Sequence, residues 1–158
     1  MLFIYFFYNS NLLQLYLEMP THLAPESIQF DERGWEVKEP KYQLRPETIE
    51  SLYLMFSVTS NEQYRDWGWL IFEAIQQHCR TEIAYSGIND VRDIPPMQDN
   101  KMESYVMAET FKYLYLLFDD HAGSLIPLNE FVFNTEAHPI RKFNLTQSIK
   151  QWAANKKA

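Results

Sequence analysis

The chain has 158 residues, which is enough for one domain with a hydrophobic core. Its formal net charge of -7 argues against a nucleic-acid backbone as partner, and no glycine-rich loop is present to hold a phosphate. The only cysteine, Cys79, excludes a disulfide within the chain and a zinc site built from cysteines, so we expect a small buried side chain in a helix.

Residues 1–11 form an apolar N-terminal segment that ends in the polar run Asn9-Ser10-Asn11. The apolar part is too short to span a bilayer, and it lacks the basic residues and the cleavage site of a signal peptide. We interpret it as part of a core helix cut from something larger. A short helix from Asn11 to Glu18 is predicted next, and Pro20 follows its end.

Two corners of the chain share the pattern Leu-x-Pro-Glu. The first ends at Glu26 and the second ends at Glu47. The repeat is either a coincidence or a sign that two Pro-Glu corners have similar settings. The segment between them, Ile28 to Lys41, is predicted to be irregular, with a turn at Asp31-Glu32-Arg33-Gly34 and an extended run at Trp35-Glu36-Val37.

The second corner opens a predicted helix, Pro46 to Val58, because proline suits a first helical turn and an apolar stripe follows. Glu47 lies in the first turn, where the helix dipole favours a carboxylate, and Arg45 and Glu50 are close in sequence. Helix capping is the simpler interpretation of these charges when the stretch is taken alone. A functional site is the other interpretation. The apolar stripe consists of Ile49, Leu52, Tyr53 and Phe56.

A further helix, Glu62 to Cys79, is predicted after the short polar connection Thr59 to Asn61, so that the two helices form an antiparallel hairpin. The connection that follows, Arg80 to Asn100, contains turn signals, and a loop of this length usually has a function or covers a site. The inner stripe of the helix is predicted to consist of Trp67, Leu70, Ile71, Ala74, Ile75 and His78.

The next predicted helix, Met102 to Phe118, is apolar nearly all round and is expected to be buried on most sides. One row along this helix nevertheless contains polar side chains at positions i, i+4 and i+7, namely Tyr105, Glu109 and Lys112. A carboxylate in a buried helix needs a partner or a wet cavity. A Glu109–Lys112 pair and a functional Glu109 explain this spacing equally well.

The C-terminal part of the chain contains a short predicted extended run, Phe131 to Phe133, and then Asn134-Thr135-Glu136. Hydroxyl, amide and carboxylate oxygens are ligands that hard cations prefer, so this run is a hint of a metal site. Residues 141–158 form a basic tail that is predicted to be solvated.

Five blocks of sequence, in this order and spacing, resemble the class I α-1,2-mannosidases of glycoside hydrolase family 47. The resemblance covers about residues 12–140. The blocks are Leu44-Arg45-Pro46-Glu47 with Glu50; Cys79-Arg80-Thr81; Ser86-Gly87-Ile88-Asn89-Asp90-Val91; Glu103-Ser104-Tyr105 with the run from Ala108 to Phe118; and the run from Phe133 to Pro139.

The resemblance implies an all-α fold, a barrel of paired helices called an (α/α)7 toroid, which a C-terminal β-hairpin closes by entering its centre. Residues 12–140 match only the C-terminal part of that catalytic domain, so a partial barrel is expected. Phe131 to His138 would be the entering strand, and Glu109 would face the cavity.

The resemblance also implies roles for individual residues. Glu47 would be the general base that activates water in an inverting hydrolysis, with Arg45 and Glu50 beside it. Thr135 would bind calcium through its hydroxyl and carbonyl oxygens, and waters would supply most of the other ligands. These waters would be held by Glu26, Glu50, Glu109 and Glu136. Tyr105 would stack on the sugar, and the substrate-binding set would be Arg45, Glu26, Glu50, Tyr105, Glu109 and Glu136.

The activity implied is removal of terminal α-1,2-mannose from Asn-linked high-mannose glycans in the secretory pathway. The family's general acid lies upstream of the matched part, and inversion needs two carboxyl groups about 6.5–9.5 Å apart with water between them. We therefore expect the chain alone to be inactive and to need the missing N-terminal part of the domain. The alternative is a non-catalytic protein of the same fold that recognises mannose glycans in glycoprotein degradation.

Overall fold

The computed structural model describes residues 9–32 and 34–143, which divide into a unit ending at Asp119 and a unit beginning at Asp120. Both contain helix and a two-stranded β-hairpin, so the predicted helical fold holds, with strands added. The first unit comprises α1 (Asn9–Glu18), β1 (Ser27–Asp31), β2 (Gly34–Glu39), α2 (Glu47–Thr59), α3 (Gln63–His78), a π-helical turn (Val106–Thr110) and α4 (Phe111–Phe118). The second comprises α5 (Ala122–Leu125), β3 (Phe131–Phe133) and β4 (Pro139–Arg141).

Helices α2 and α3 form the predicted hairpin and pack against each other. The turn between them begins at Ser60, whose left-handed φ of 54° lets its N–H bond to the carbonyl of Phe56. The stripe predicted on α2 is confirmed at its three buried members, and α3 buries most of its predicted stripe. These core residues are Ile49, Leu52, Tyr53, Ile71, Ala74, Ile75 and His78.

The prediction for the inner face of α3 is wrong at Leu70, which is 42% exposed, whereas Gly68 is buried. The cause is the close approach of α4. A Cβ added at Gly68 would lie 2.4 Å from Cδ2 of Leu117, so only glycine leaves space for the leucine there.

The helix predicted from Met102 begins later, at the π-helical turn, and continues as α4. It packs on α2 and α3, burying Val106, Tyr113 and Leu117. Burial on most sides is confirmed for α4, which also buries Leu114 and Leu116 and exposes only Tyr115, at 60%, whereas the π-helical turn leaves Met107 61% exposed. An apolar circumference does not tell which face the neighbouring helices cover.

The segment between the two Pro-Glu corners is an antiparallel hairpin of β1 and β2, turned at Gly34 with φ 128°. The predicted turn and the extended run beginning at Trp35 are confirmed, whereas the strand before the turn was predicted to be irregular. Ile28 pairs with Val37, and Phe30 pairs with Trp35. The strands lie on the surface with few inward side chains, so the alternation of polar and apolar residues that identifies a strand is weak.

The long connection after α3 is hydrogen-bonded to the segments that precede the two Pro-Glu corners. Ile88 is fully buried and bridges both Tyr42 and Gln98, and the carbonyl of Val91 accepts a 2.7 Å hydrogen bond from the hydroxyl of Thr21. Cys79, at the end of α3, is a buried free thiol as predicted. Burial, assisted by the charge of Asp99, raises its pKa to about 12.

In the second unit, the predicted extended run is confirmed as β3, which pairs with β4 through Phe131–Arg141 and Phe133–Pro139. Arg141, which the sequence assigned to the basic tail, lies in β4 and donates a 2.8 Å bond to Glu130. Residues 1–8 and 144–158, and with them most of the apolar segment and the tail, lie outside the described residues. Across the described part of the chain, every helix is too short or too polar to cross a membrane.

Candidate functional site

A charge pair joins the two Pro-Glu corners. Nε of Arg45 donates a hydrogen bond to Oε2 of Glu26, whose other oxygen accepts the backbone N–H of Gln43 at 3.0 Å. The glutamate side chain is 13% exposed and the arginine side chain 49% exposed. The bond to Glu26 is the main reason why the pKa of Arg45 is raised. The two Pro-Glu corners are therefore in contact through this pair.

Tyr105 lies against this pair. Its phenol donates a 2.8 Å hydrogen bond to the carbonyl of Gln43, and the guanidinium carbon of Arg45 lies 5.8 Å from the centre of its ring. Burial raises the pKa of Tyr105, although the charge of Arg45 opposes that change. A ring fixed in this way can offer one face to a flat apolar surface, such as a sugar face.

The start of α2 is positioned by Leu44, a buried residue with a left-handed φ of 60°. Its carbonyl accepts a buried 2.6 Å hydrogen bond from the hydroxyl of Thr110 in the π-helical turn. Pro46, at the N-cap, supplies no side-chain cap. Glu47 is exposed in the first turn, and its carboxylate makes no hydrogen bond or ion pair within the described residues. A carboxylate in this state can accept a proton from a bound water.

Two other carboxylates act on Glu50 at this helix end. Burial raises the pKa of Glu50, a hydrogen bond from the phenol of Tyr113 lowers it, and the charges of Glu47 and Glu109 raise it again. Burial, followed by the carboxylates of Glu50 and Glu109, raises the pKa of Tyr113, so this phenol stays protonated and donates. Such a group of like charges favours a proton or a cation nearby.

In the second unit, Thr135 and Glu136 lie exposed on the turn between β3 and β4. The turn is held by Asn134, whose Oδ1 accepts the N–H groups of Glu136 at 3.0 Å and His138 at 2.8 Å. The amide oxygen is therefore engaged, whereas the hydroxyl of Thr135 makes no hydrogen bond within the described residues. The hydroxyl and carboxylate oxygens that remain are of the type that fits calcium. Residues 9–32 and 34–143 contain no group of three or more His, Cys, Asp or Glu side chains that could hold a metal ion.

The structure thus brings six of the predicted site residues together in the first unit and places the other two on one turn of the second. Sequence reasoning gave no role to Gln43 or Tyr113. Tyr113 lies four residues after Glu109, a spacing that could have indicated it. Gln43 carries no such signal. The six are Glu26, Arg45, Glu47, Glu50, Tyr105 and Glu109.

Comparison with known proteins gives one consistent result. The model of Glycosyl hydrolase family 47 matches residues 8–142. The chain is 46% identical over 129 residues to Mannosyl-oligosaccharide alpha-1,2-mannosidase IA of Drosophila melanogaster, covering 79% of the chain and 19% of the relative. It is 41% identical over 141 residues to the human Mannosyl-oligosaccharide 1,2-alpha-mannosidase IC, covering 87% of the chain and 22% of that protein.

A solved structure agrees with these matches. The alpha-1,2-mannosidase from Trichoderma reesei superimposes with a TM-score of 0.76 at 33% identity, over 84% of this chain and 32% of that one. The chain therefore spans about a fifth of the length of the curated relatives and about a third of the solved enzyme.

Proposed function

The chain belongs to glycosyl hydrolase family 47, and from this we propose that it is part of a calcium-dependent, inverting α-1,2-mannosidase acting on high-mannose Asn-linked glycans. The observation that carries the proposal is the joining of the two Pro-Glu corners by Arg45 and Glu26, beside the carboxylates of Glu47 and Glu50. We place the catalytic part within residues 12–140, and the protein in the secretory pathway.

Glu47 is proposed as the general base. Arg45 is hydrogen-bonded to Glu26, and Glu47 is exposed at the helix start. An ionised carboxylate there can take the proton of a water that attacks the sugar, while a second carboxyl group protonates the leaving oxygen. Tyr105 would support the mannose ring by stacking.

Thr135 is proposed to hold calcium through its hydroxyl and carbonyl oxygens. Bound Ca²⁺ takes 6–8 oxygens in flexible geometry, so it would accept mannose hydroxyls and help to bend the ring. The waters around it would be held by carboxylates of this chain. Within the first unit, the charges of Glu47 and Glu109 raise the pKa of Glu50, so a cation beside Glu50 would be favoured. The carboxylates proposed to hold the waters are Glu26, Glu50, Glu109 and Glu136.

The chain alone is proposed to be inactive, because the general acid would come from the N-terminal part of a complete domain. The partner is therefore an upstream segment that completes the partial (α/α)7 barrel and supplies the second carboxyl group. The solved relative, of which this chain covers 32%, supports a missing share of about two thirds.

The test measures mannose release from a nine-mannose glycan with calcium present. The 158-residue chain alone should release none. Co-expression with the upstream two thirds of the Trichoderma reesei enzyme should restore release, and a Glu47→Gln variant should lose it at least 100-fold. The control is Glu39→Gln, an exposed glutamate of β2, which should behave as the parent chain. Release by the chain alone would overturn the inactivity, and glycan binding without release in any combination would favour the recognition protein.

A further inference from the structure

Gln43 is bonded to three of the proposed substrate-binding residues at once. Its N–H donates to Glu26 at 3.0 Å, its carbonyl accepts from the phenol of Tyr105 at 2.8 Å, and its side-chain oxygen accepts Nη2 of Arg45 at 3.0 Å. These partners come from the first corner, the second corner and the start of the π-helical turn. Gln43 is therefore the residue at which the three segments meet.

The backbone on either side of Gln43 is fixed. Tyr42 is buried and exchanges two hydrogen bonds with Ile88, at 3.1 and 3.0 Å. Leu44 has a left-handed φ and is tied to Thr110 by its carbonyl. The two backbone bonds of Gln43 thus follow from the fold, whereas the side-chain bond to Arg45 depends on the residue being glutamine.

That side-chain bond acts on a flexible group. Arg45 is half exposed, and a long arginine side chain has many rotamers unless it is held at two points. Glu26 holds Nε and Gln43 holds Nη2, which sets the plane of the guanidinium and keeps it beside the ring of Tyr105. The Nη1 end makes no hydrogen bond within the described residues and is left for a ligand.

We propose that Gln43 is a positioning residue that orients Arg45 for recognition of a mannose hydroxyl. It acts through Arg45 and does not touch the sugar. This inference rests on the proposed mannose site, and its loss is expected to weaken sugar binding about tenfold, as for a hydrogen bond to a charged group.

The test compares Gln43→Leu with Gln43→Glu, which keeps an acceptor for Arg45, and with Gln29→Leu, an exposed glutamine in β1. The 158-residue chain is titrated with α-1,2-mannobiose and calcium. The affinity should fall about tenfold in Gln43→Leu and stay within about twofold of the parent in the other two. The ¹⁵N–¹H signal of Arg45 Nε is recorded without sugar, and it should broaden or exchange faster in Gln43→Leu only.

The two readouts separate the possible failures. If the parent chain binds mannobiose and Gln43→Leu binds it equally well, the positioning role is overturned and the mannose site stands. If the parent chain does not bind the sugar, the proposed mannose site fails, and the proposed role of Gln43 in orienting Arg45 for sugar binding fails with it. An Arg45 signal unchanged in Gln43→Leu would likewise overturn the positioning of the guanidinium.

Discussion

The hydroxyl of Thr110 donates a buried 2.6 Å hydrogen bond to the carbonyl of Leu44, a residue with φ 60°. This bond links the π-helical turn to the loop that carries Arg45 and precedes Glu47. A left-handed leucine is strained by roughly 1–2 kcal/mol, so surrounding structure must hold it in place. Thr110 is part of that structure.

Thr110→Val keeps the shape of the side chain and removes the donor, leaving the buried carbonyl of Leu44 unsatisfied. We expect the free energy of unfolding to fall by about 1–3 kcal/mol, measured by urea denaturation. The matched control is Thr59→Val, because its hydroxyl also bonds a backbone carbonyl, that of Met55, but at an exposed position. The control should change stability by less than about 1 kcal/mol, and an equal loss in both variants would contradict the argument.

Gly68→Ala tests the close approach of α3 and α4. The added Cβ would meet Cδ2 of Leu117 at 2.4 Å, so a leucine in the core must move, at about 1–3 kcal/mol. Gly123→Ala in α5 is the control, since nothing lies within 4 Å of its Cβ. Thermal unfolding should show a lower midpoint for the first variant and an equal or higher one for the second. A stabilised Gly68→Ala would mean that α4 packs less closely.

Glu50→Gln tests the group of carboxylates through pH. Burial and the nearby charges raise the pKa of Glu50 in the folded chain above its unfolded value. Folding therefore favours the protonated form, and the stability it contributes is lost as the pH rises through the folded pKa. A neutral glutamine avoids this loss, so the variant should unfold at higher temperature than the parent at pH 7, with the difference shrinking toward pH 4.

The control for this titration is Glu73→Gln, an exposed glutamate on α3, which should show no such pH-dependent gain. If Glu50→Gln is instead less stable than the parent at pH 7, the hydrogen bond from Tyr113 outweighs the repulsion, and the carboxylate is a structural acceptor.

Thr135→Ala tests the proposed calcium site in the second unit. If calcium binds the folded chain and not the unfolded chain, a concentration of about 100 times its dissociation constant raises the free energy of unfolding by about 2.7 kcal/mol. We expect that the parent chain unfolds at higher temperature in calcium than in chelator and that Thr135→Ala loses this difference. Ser124→Ala, an exposed hydroxyl of the same unit, should keep it. A calcium effect that survives Thr135→Ala would place the ion elsewhere.

The sequence predicted those elements of the fold that are determined by residues close to one another in the chain. Pro46 and the stripe beginning at Ile49 predicted the start of α2 within one residue, since both act through the helix itself. The sequence could not predict that Gly68 is buried and Leu70 exposed on α3, because this depends on the position of Leu117 in α4. Strand β1 was missed because its exposed side chains leave only a weak alternation in the sequence, whereas the turn and part of β2 were predicted.

In the candidate site, too, some residues were predicted from the sequence and others were found only in the structure. Family resemblance pointed to Glu26 and Arg45, and the structure shows them bonded, although 19 positions separate them. Gln43 could not have been identified from its neighbours in sequence, because its importance comes from Tyr105, which is 62 positions away. Residues whose role is to join distant segments become visible only when the chain is folded.

The burial of Cys79 has a practical consequence for spectroscopy. A thiol that is buried and protonated reacts slowly with maleimide reagents, so a cysteine introduced at an exposed position becomes the preferred site of attachment. Spin labels or fluorophores placed at Glu39 of β2 and at Ser124 of α5 would then report the distance between the two units by dipolar or energy-transfer measurements, with the native cysteine left in place.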